Sequence, residues 1–415
     1  MSKKVQLRLI QSKTMSEKGE NGIVRFPKKA REYFGFANDM VVLGKGKYQT
    51  SLQVKQAYKA DVHHLAAMIQ QGKLTDDTAV SVGFVTRTVQ QRINRKKGSA
   101  WVSDGVGSIT IGADPEFGLI GPQGVLVRGD HVVQHEGVFG ADGPGVEVRP
   151  PPDTDHLVVV DKIRNILENP PEAATKFKWL GGATYRDTAR TYWFGGHIHL
   201  GRPSQIEADN AFGIYQKIAT VLDGLLALPM CRFDTPEPHR RRDGCTYHYG
   251  TAGDIRADYP EQDRFEYRVL SGLWVAHPSL AKIVLGAAKC ITETAYGRIA
   301  DQKFDLEWAT NPASRKGLLK TFGLKNFREV QGIINRAKPE EVTPEHIKAW
   351  KRQIRNLDFF DEYAVELNAL MALAEVGPTA FDLDIKANWQ GDRPVLPKHE
   401  TTAKLRKALK EVEEK

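Results

Sequence analysis

Gly195-Gly196-His197-Ile198-His199-Leu200-Gly201 alternates ring nitrogens with aliphatic side chains and is bounded by glycine at both ends. A period of two is the signature of a strand, so His197 and His199 project from one face while Ile198 and Leu200 turn to the other. Three further stretches repeat the pattern: Asp114 with Glu116, Glu147 with Arg149, and Glu266 with Arg268. Phe117, Val146, Val148, Phe265, Tyr267 and Val269 supply the apolar complement, giving one face fit for packing under helices and one ionic face. A solvated polar face is the simpler reading of any one pair. Four pairs built from His-x-His and from carboxylates near glycine, in place of the usual Lys, Thr and Ser, argue for a site. Gly195, Gly196 and Gly201 predict a backbone approached closely by a ligand or another strand.

Working outward, strands are expected over 108–117, 125–127 and 145–148, a helix over 156–167, and a strand through 193–200. A helix over 206–227, a charged loop over 234–262, a strand over 264–270 and a helix over 280–299 complete an α+β pattern. Beyond about residue 311 the chain reads as helical and charged, with helices over 346–355 and 358–374. From 402 it reads as a solvated helix or frayed tail. The first hundred residues are basic, with strand-like runs at 22–26, 40–43 and 79–89 and short helices at 28–34 and 60–71. The expected domains are a basic strand-rich unit at 1–98, a linker at 99–108, a catalytic domain at 109–310 and a helical region at 311–415 that completes or caps it.

A chain of 415 residues, 41% hydrophobic and 27% charged, is an ordinary folded composition with room for two or three domains. No secretory leader pattern and no apolar run of membrane-spanning length is evident, and Cys231, Cys245 and Cys290 are too scattered for a disulfide framework. The expectation is a cytoplasmic protein with free thiols. Cys231, His239, Cys245 and His248 match no compact zinc spacing. A net charge of +8 allows attraction to nucleic acid, nucleotides or an acidic polymer without choosing among them.

If the four strands converge, Asp114, Glu116, Glu147, Glu266 and a histidine form an oxygen-rich set suited to Mg²⁺ or Mn²⁺ more than to zinc. Arg149, Arg264 and Arg268 stand beside it, and carboxylate-held cations ringed by guanidinium groups describe a nucleoside triphosphate site. Neither a Gly-x-x-x-x-Gly-Lys-Ser/Thr loop nor a Gly-x-Gly-x-x-Gly turn is present, so metals and side chains must hold the phosphates.

Asp114-Pro115-Glu116-Phe117, Gly195-Gly196-His197-Ile198-His199 and Arg264-Phe265-Glu266-Tyr267-Arg268 resemble, in order, three strands of the glutamine synthetases. Tyr249-Gly250-Thr251-Ala252-Gly253-Asp254-Ile255-Arg256, followed by Glu266-Tyr267-Arg268-Val269-Leu270-Ser271, is still more similar to the phage phiEco32-type carboxylate–amine ligases, a glutamine-synthetase-like branch. The resemblance covers about 109–290 and extends to Asp384-Ile385-Lys386-Ala387-Asn388-Trp389. It implies an antiparallel sheet with helices on one face, ATP and Mg²⁺ or Mn²⁺ as cofactors, and small-molecule or peptide carboxylates and amines as substrates. It implies Glu116 and Glu147 on one metal, and Asp114, His197 and Glu266 on a second. By the same resemblance Arg256 and Arg268 contact the transferring phosphate, with Arg264 and Arg149 beside them, and His199 and Tyr249 lie near the nucleotide. The implied reaction joins carboxylate to amine through an acyl phosphate. Asp114 stands where the glutamine synthetases have Glu, and only Glu147 stands where they place two further carboxylates.

Residues 22–36, leading to Val41-Val42-Leu43, resemble the swapped-hairpin DNA-binding domains of the AbrB type, which implies an intertwined dimer with Arg25, Lys28, Lys29 and Arg31 reaching a nucleic acid or other polyanion. A basic docking or dimerisation module is the alternative. Two other functions stay open: a metal-dependent hydrolase using His197 and His199, which leaves the arginines unemployed, and a DNA-binding regulator with an inactive ligase-like part.

Overall fold

The computed structural model describes residues 109–188, 190–203, 208–234, 249–257, 263–300, 327–379, 381–390 and 403–415, with four short strands earlier in the chain. The chain divides into two compact units, Met1–Gly105 and Val106–Lys415. In the first, β1 (Arg8–Ile10), β2 (Gly22–Arg25), β3 (Met40–Leu43) and β4 (Val82–Phe84) pair antiparallel in chain order. The helices expected at 28–34 and 60–71, the linker and the basic side chains lie outside the described residues.

The second unit is organised by β5 (Ile111–Ile120), ten residues long and buried throughout. Its first half pairs with β12 (Gly196–Gly201), its middle with β8 (Gly145–Val148), and its end with β6 (Leu126–Val127) and β9 (Lys178–Leu180). Pro115, with no N–H to donate, falls where the ladder to β12 ends and that to β8 begins. With β7 (Phe139–Asp142), β13 (Ile255–Arg256) and β14 (Arg264–Tyr267), the antiparallel order is β13-β14-β12-β5-β8-β7. A separate hairpin joins β10 (Thr184–Arg186) to β11 (Thr191–Trp193).

The alternation expected from sequence holds through this sheet. Ala113, Phe117, Val146, Val148, Ile198, Leu200, Phe265 and Tyr267 are buried on one face. Helices α1 (His156–Glu168), α2 (Ala208–Leu222) and α3 (Pro278–Ala300) pack on the strands. In α1 the Asp155 side chain caps the Leu157 N–H, and Val159, Val160, Ile163, Ile166 and Leu167 form the buried stripe. Against α3 pack α6 (Ala364–Val376) and α7 (Ala403–Glu414), while α4 (Phe327–Arg336) and α5 (Pro344–Ile354) pack on the turn that follows α2, all within the second unit.

Two expectations are corrected. The segment after 402 is a helix, one of the two forms expected, and its charged sides are exposed, but it is docked, not frayed: Leu405, Ala408, Leu409 and Val412 are buried in α7, which packs against α6. Its apolar residues are few, but their spacing of three and four puts all of them on one side. The segment Ala211–Met230 is long and apolar enough to cross a membrane by composition, where no such run was expected. It is hydrophobic on most sides because it lies in the core, where α2 continues through a π-helical turn, Asp223–Ala227. Strands β7, β9, β10, β11 and β13 are two to four residues long, too short for alternation to register.

A buried ion pair ties the sheet-packing helix to the C-terminal ones. Glu366 of α6 accepts from His156 Nε2 at 2.8 Å and Lys415 Nζ at 2.6 Å, and Gly286 of α3 leaves the room that a side chain would fill. Burial alone would raise the Glu366 carboxyl, but His156 and then Lys415 hold it below its usual value. A depressed folded pKa means stability that is present above the unfolded value and lost as pH falls through the folded one. Glu366→Gln should therefore cost on the order of 2 kcal/mol at neutral pH. Its acid-unfolding limb should be shallower than that of the wild type, as measured by denaturant titration across acidic pH.

The candidate active site and metal centre

Cross-strand register assembles the ionic face. Asp114 lies opposite His197, His199 opposite Glu266, Glu116 opposite Glu147, and Arg256 opposite Glu266. Partners in an antiparallel ladder share a face, so four separate motifs become one surface. Asp114, Glu116, Glu147, His197 and Glu266 are all less than 9% exposed. A cavity of about 460 Å³ opens over them, lined in part by Asp114, Glu147, Arg149, His199, Arg256 and Glu266.

Asp114, His199 and Glu266 bring one ligand atom each within 4.8 Å of one another. His199 Nε2 stands 3.0 Å from Asp114 Oδ2, yet His199 Nε2 and Asp114 Oδ1 are buried without a hydrogen bond. Desolvated groups of this kind are costly unless something satisfies them. Two carboxylates and an imidazole converging this way fit a divalent cation.

His197 stands beside the same acids, and its Nδ1 is also buried without a hydrogen bond. Its Nε2 is 2.6 Å from the Tyr249 hydroxyl, while Nδ1 faces Glu266 at 3.1 Å and Asp114 at 3.6 Å. The Tyr249 hydroxyl donates to Glu116 Oε1 at 2.8 Å, and Glu116 Oε2 accepts the Gly195 N–H at 2.7 Å. Both Glu116 oxygens thus have protein partners, and His199 and His197 each turn a ring nitrogen toward the acids Asp114 and Glu266.

Three of the arginines lie against the same acids and the fourth against His199. Arg256 donates twice to Glu266, at 2.7 and 2.8 Å, and Arg268 Nε stands 3.3 Å from it with its guanidinium over the Tyr249 ring. Arg149 donates to Glu147 at 2.5 Å, and Arg264 contacts His199 Nδ1. All four arginines named from sequence come together here.

The charges are strongly coupled. Burial raises the Asp114 carboxyl, but the close approach of His197 and His199 outweighs it and holds Asp114 well below the usual range. Burial raises Glu116 despite His197, Gly195 and Tyr249. Burial and then the neighbouring Asp114 charge push Glu147 up to about 9. Burial would lower His197, yet Asp114, Glu116 and Glu266 raise it on balance.

The model of the family Phage phiEco32-like COOH.NH2 ligase-type 2 matches residues 111–362, from the first residue of β5 to a point just before α6. The chain belongs to this ligase family. The match spans every site residue named above. No curated protein matches the sequence. Among solved structures, a bifunctional glutathione synthetase from Pasteurella multocida aligns at 11% identity and a TM-score of 0.29, over 72% of this chain and 58% of that one.

The glycines expected to be approached closely are approached by the ligase's own groups. A side chain at Gly195 would strike His197 Nε2 and the Tyr249 hydroxyl, one at Gly196 the Ser271 carbonyl and Trp274, and one at Gly201 Thr110. Trp274 Nε1 donates to Gly196 O at 3.0 Å, and the turn it belongs to is braced by Asn388 and Trp389 through bonds of 2.9 and 2.7 Å to Ala276 and Val275. The tail motif of the resemblance therefore supports the histidine strand. Most of the charged loop expected at 234–262, including His239, Arg240, Cys245 and His248, lies outside the described residues. Cys231 and Cys290 are buried free thiols. Asp142 and His135 also line the cavity and were missed. Phe139-Gly140-Ala141-Asp142 does not alternate in polarity, and His135 sits in a loop, so neither carried a periodic signal.

Proposed function

We propose that this chain is an ATP-dependent carboxylate–amine ligase that works with Mg²⁺ or Mn²⁺ through an acyl phosphate. The observation that carries the reading is the Asp114–His199–Glu266 group set among four anchored arginines, in a chain of this ligase family. Asp114, His199 and Glu266 would hold the ion, with Glu116 and Glu147 alongside. When bound, a divalent ion offsets phosphate charge and orients the transferring phosphoryl group.

A substrate carboxylate oxygen attacks the γ-phosphorus of ATP, and the bond to the bridging oxygen breaks to release ADP. Arg256 and Arg268, fixed by Glu266, are preorganised donors for the transferring phosphoryl oxygens, and Arg149 and Arg264 add positive charge along the cavity. The acyl phosphate then presents a carbonyl carbon with phosphate as leaving group. A neutral amine nitrogen attacks it, phosphate departs with the bonding pair, and loss of one proton from nitrogen leaves the amide. Burial of the acids keeps water scarce while the intermediate persists.

The substrates fit the class of small-molecule or peptide carboxylates and amines. The basic first unit would dock nucleic acid or another polyanion with salt-dependent affinity and would pair protomers, in a cytoplasmic protein.

The test supplies the full chain with Mg·ATP, a pool of free amino acids and dipeptides, and methylamine. Phosphate release is expected only with nucleotide and carboxylate together, accompanied by methylamides in the mass spectrum. Amide hydrolysis that needs no nucleotide would favour the His197/His199 hydrolase reading instead.

A further inference from the structure

Ligation requires more than an activated carboxylate. An amine arrives near neutral pH as an ammonium ion, which has no lone pair to attack with, so the site needs an anion to receive it and a base to deprotonate it. Neither duty falls to the groups already described: Asp114, His199 and Glu266 converge on the cation, Glu116 is bonded to Tyr249 and Gly195, and Glu147 to Arg149.

The lining of the same cavity carries two groups to which the reading above gives no role, His135 and Asp142. His135 Nδ1 lies 2.7 Å from the Ala141 carbonyl oxygen. A carbonyl can only accept, so Nδ1 bears the hydrogen and Nε2 of the neutral ring bears the lone pair. The loop that presents it is pinned by Arg149, whose Nη1 donates to His135 O at 2.8 Å and Gly137 O at 3.2 Å while Nη2 holds Glu147. Gly140 is the position that lets this guanidinium through, since a side chain there would collide with Arg149 Nη1. Asp142 is an exposed carboxylate on β7, two residues along from Gly140, which pairs with Glu147; it therefore shares the ionic face. Its charge is felt at both Glu116 and Arg256.

We infer that His135 and Asp142 form the amine subsite, Asp142 receiving a primary ammonium group and His135 Nε2 acting as the base that deprotonates it. This rests on the ligase reading above. An N–H bond of the ammonium breaks as Nε2 takes the proton, giving an imidazolium whose Nδ1–H stays on the Ala141 carbonyl. The freed lone pair forms the C–N bond at the acyl phosphate carbon. The C–O bond to phosphate breaks with its electron pair on phosphate, and the remaining surplus proton on nitrogen passes to that phosphate or to water.

The experiment compares two nucleophiles in the full chain with Mg·ATP and the pool of amino acids and dipeptides. Methylamine is protonated near neutral pH and needs the base, whereas hydroxylamine is already neutral and does not. His135→Asn keeps a donor in the place of Nδ1 and removes the Nε2 base. It should lose methylamide formation by about 100-fold or more while hydroxamate formation stays within about 3-fold of wild type. Asp142→Asn should raise the KM for methylamine and leave that for hydroxylamine unchanged. Equal loss with both nucleophiles, or unchanged methylamide formation in His135→Asn, overturns the subsite and leaves the ligase reading standing. A wild-type chain that forms neither product overturns the ligase reading and the subsite with it.

Discussion

Glu266→Gln loses divalent-cation binding, ATP binding and ligation together, while the protein stays folded. Glu266 is 8% exposed, supplies one ligand atom of the Asp114–His199–Glu266 group, and accepts both hydrogen bonds of Arg256. The amide keeps the shape but removes the charge that a hard cation needs, and its NH₂ cannot accept from a guanidinium. The loss in cation affinity should exceed the roughly 10–100-fold typical for a partner outside the ligand set. Arg256 is left without its carboxylate, so nucleotide affinity falls for a second reason. Titration calorimetry with Mn²⁺ and ATP measures both, with Glu172→Gln, an exposed carboxylate outside the cavity lining, as the control. If Glu266 were an ordinary solvated strand residue, the two variants would behave alike.

Gly195→Ala should be nearly as damaging without touching a charge. The added methyl has no room beside His197 Nε2 and the Tyr249 hydroxyl, so Tyr249 must leave Glu116 or His197 must rotate away from Glu266. Misplacement by about 1 Å at such a site costs on the order of 100-fold in rate, and the overpacking itself about 1–3 kcal/mol of stability. Gly213→Ala, on α2 where a side chain meets nothing within 4 Å, separates the effect of the site from that of adding a methyl group. Steady-state ligation and thermal unfolding of both variants check it. Normal activity in Gly195→Ala would mean that the Tyr249–His197–Glu116 contacts are dispensable.

The sheet was legible because its site-bearing strands carry the period-two pattern with ionic groups on the wet side. His197 and His199, Asp114 and Glu116, and Glu147 with Arg149 each announce a face before any pairing is known. What sequence spacing could not give was the register, and register decides what each histidine faces. One ladder step moves a ring by the length of a residue, and the outcome, His199 beside Asp114 Oδ2 and His197 under Tyr249, depends on backbone pairing across β5, β12 and β14. The short edge strand β7 was invisible for a different reason: Gly140 is there to admit Arg149, which interrupts the alternation that would have pointed to Asp142. The α7 stripe was missed because four buried residues in a charged helix do not raise its average hydrophobicity, although their spacing is sufficient to dock it.

The most direct measurement follows the oxygen atoms. With a carboxylate substrate labelled in both oxygens with heavy oxygen, an acyl phosphate must carry one labelled oxygen from the carboxylate into the released phosphate as the amide forms. The account predicts ADP together with phosphate that bears one heavy oxygen per amide made, dependent on Mg²⁺ or Mn²⁺ and absent in Glu266→Gln. Unlabelled phosphate alongside amide, or AMP in place of ADP, would contradict it.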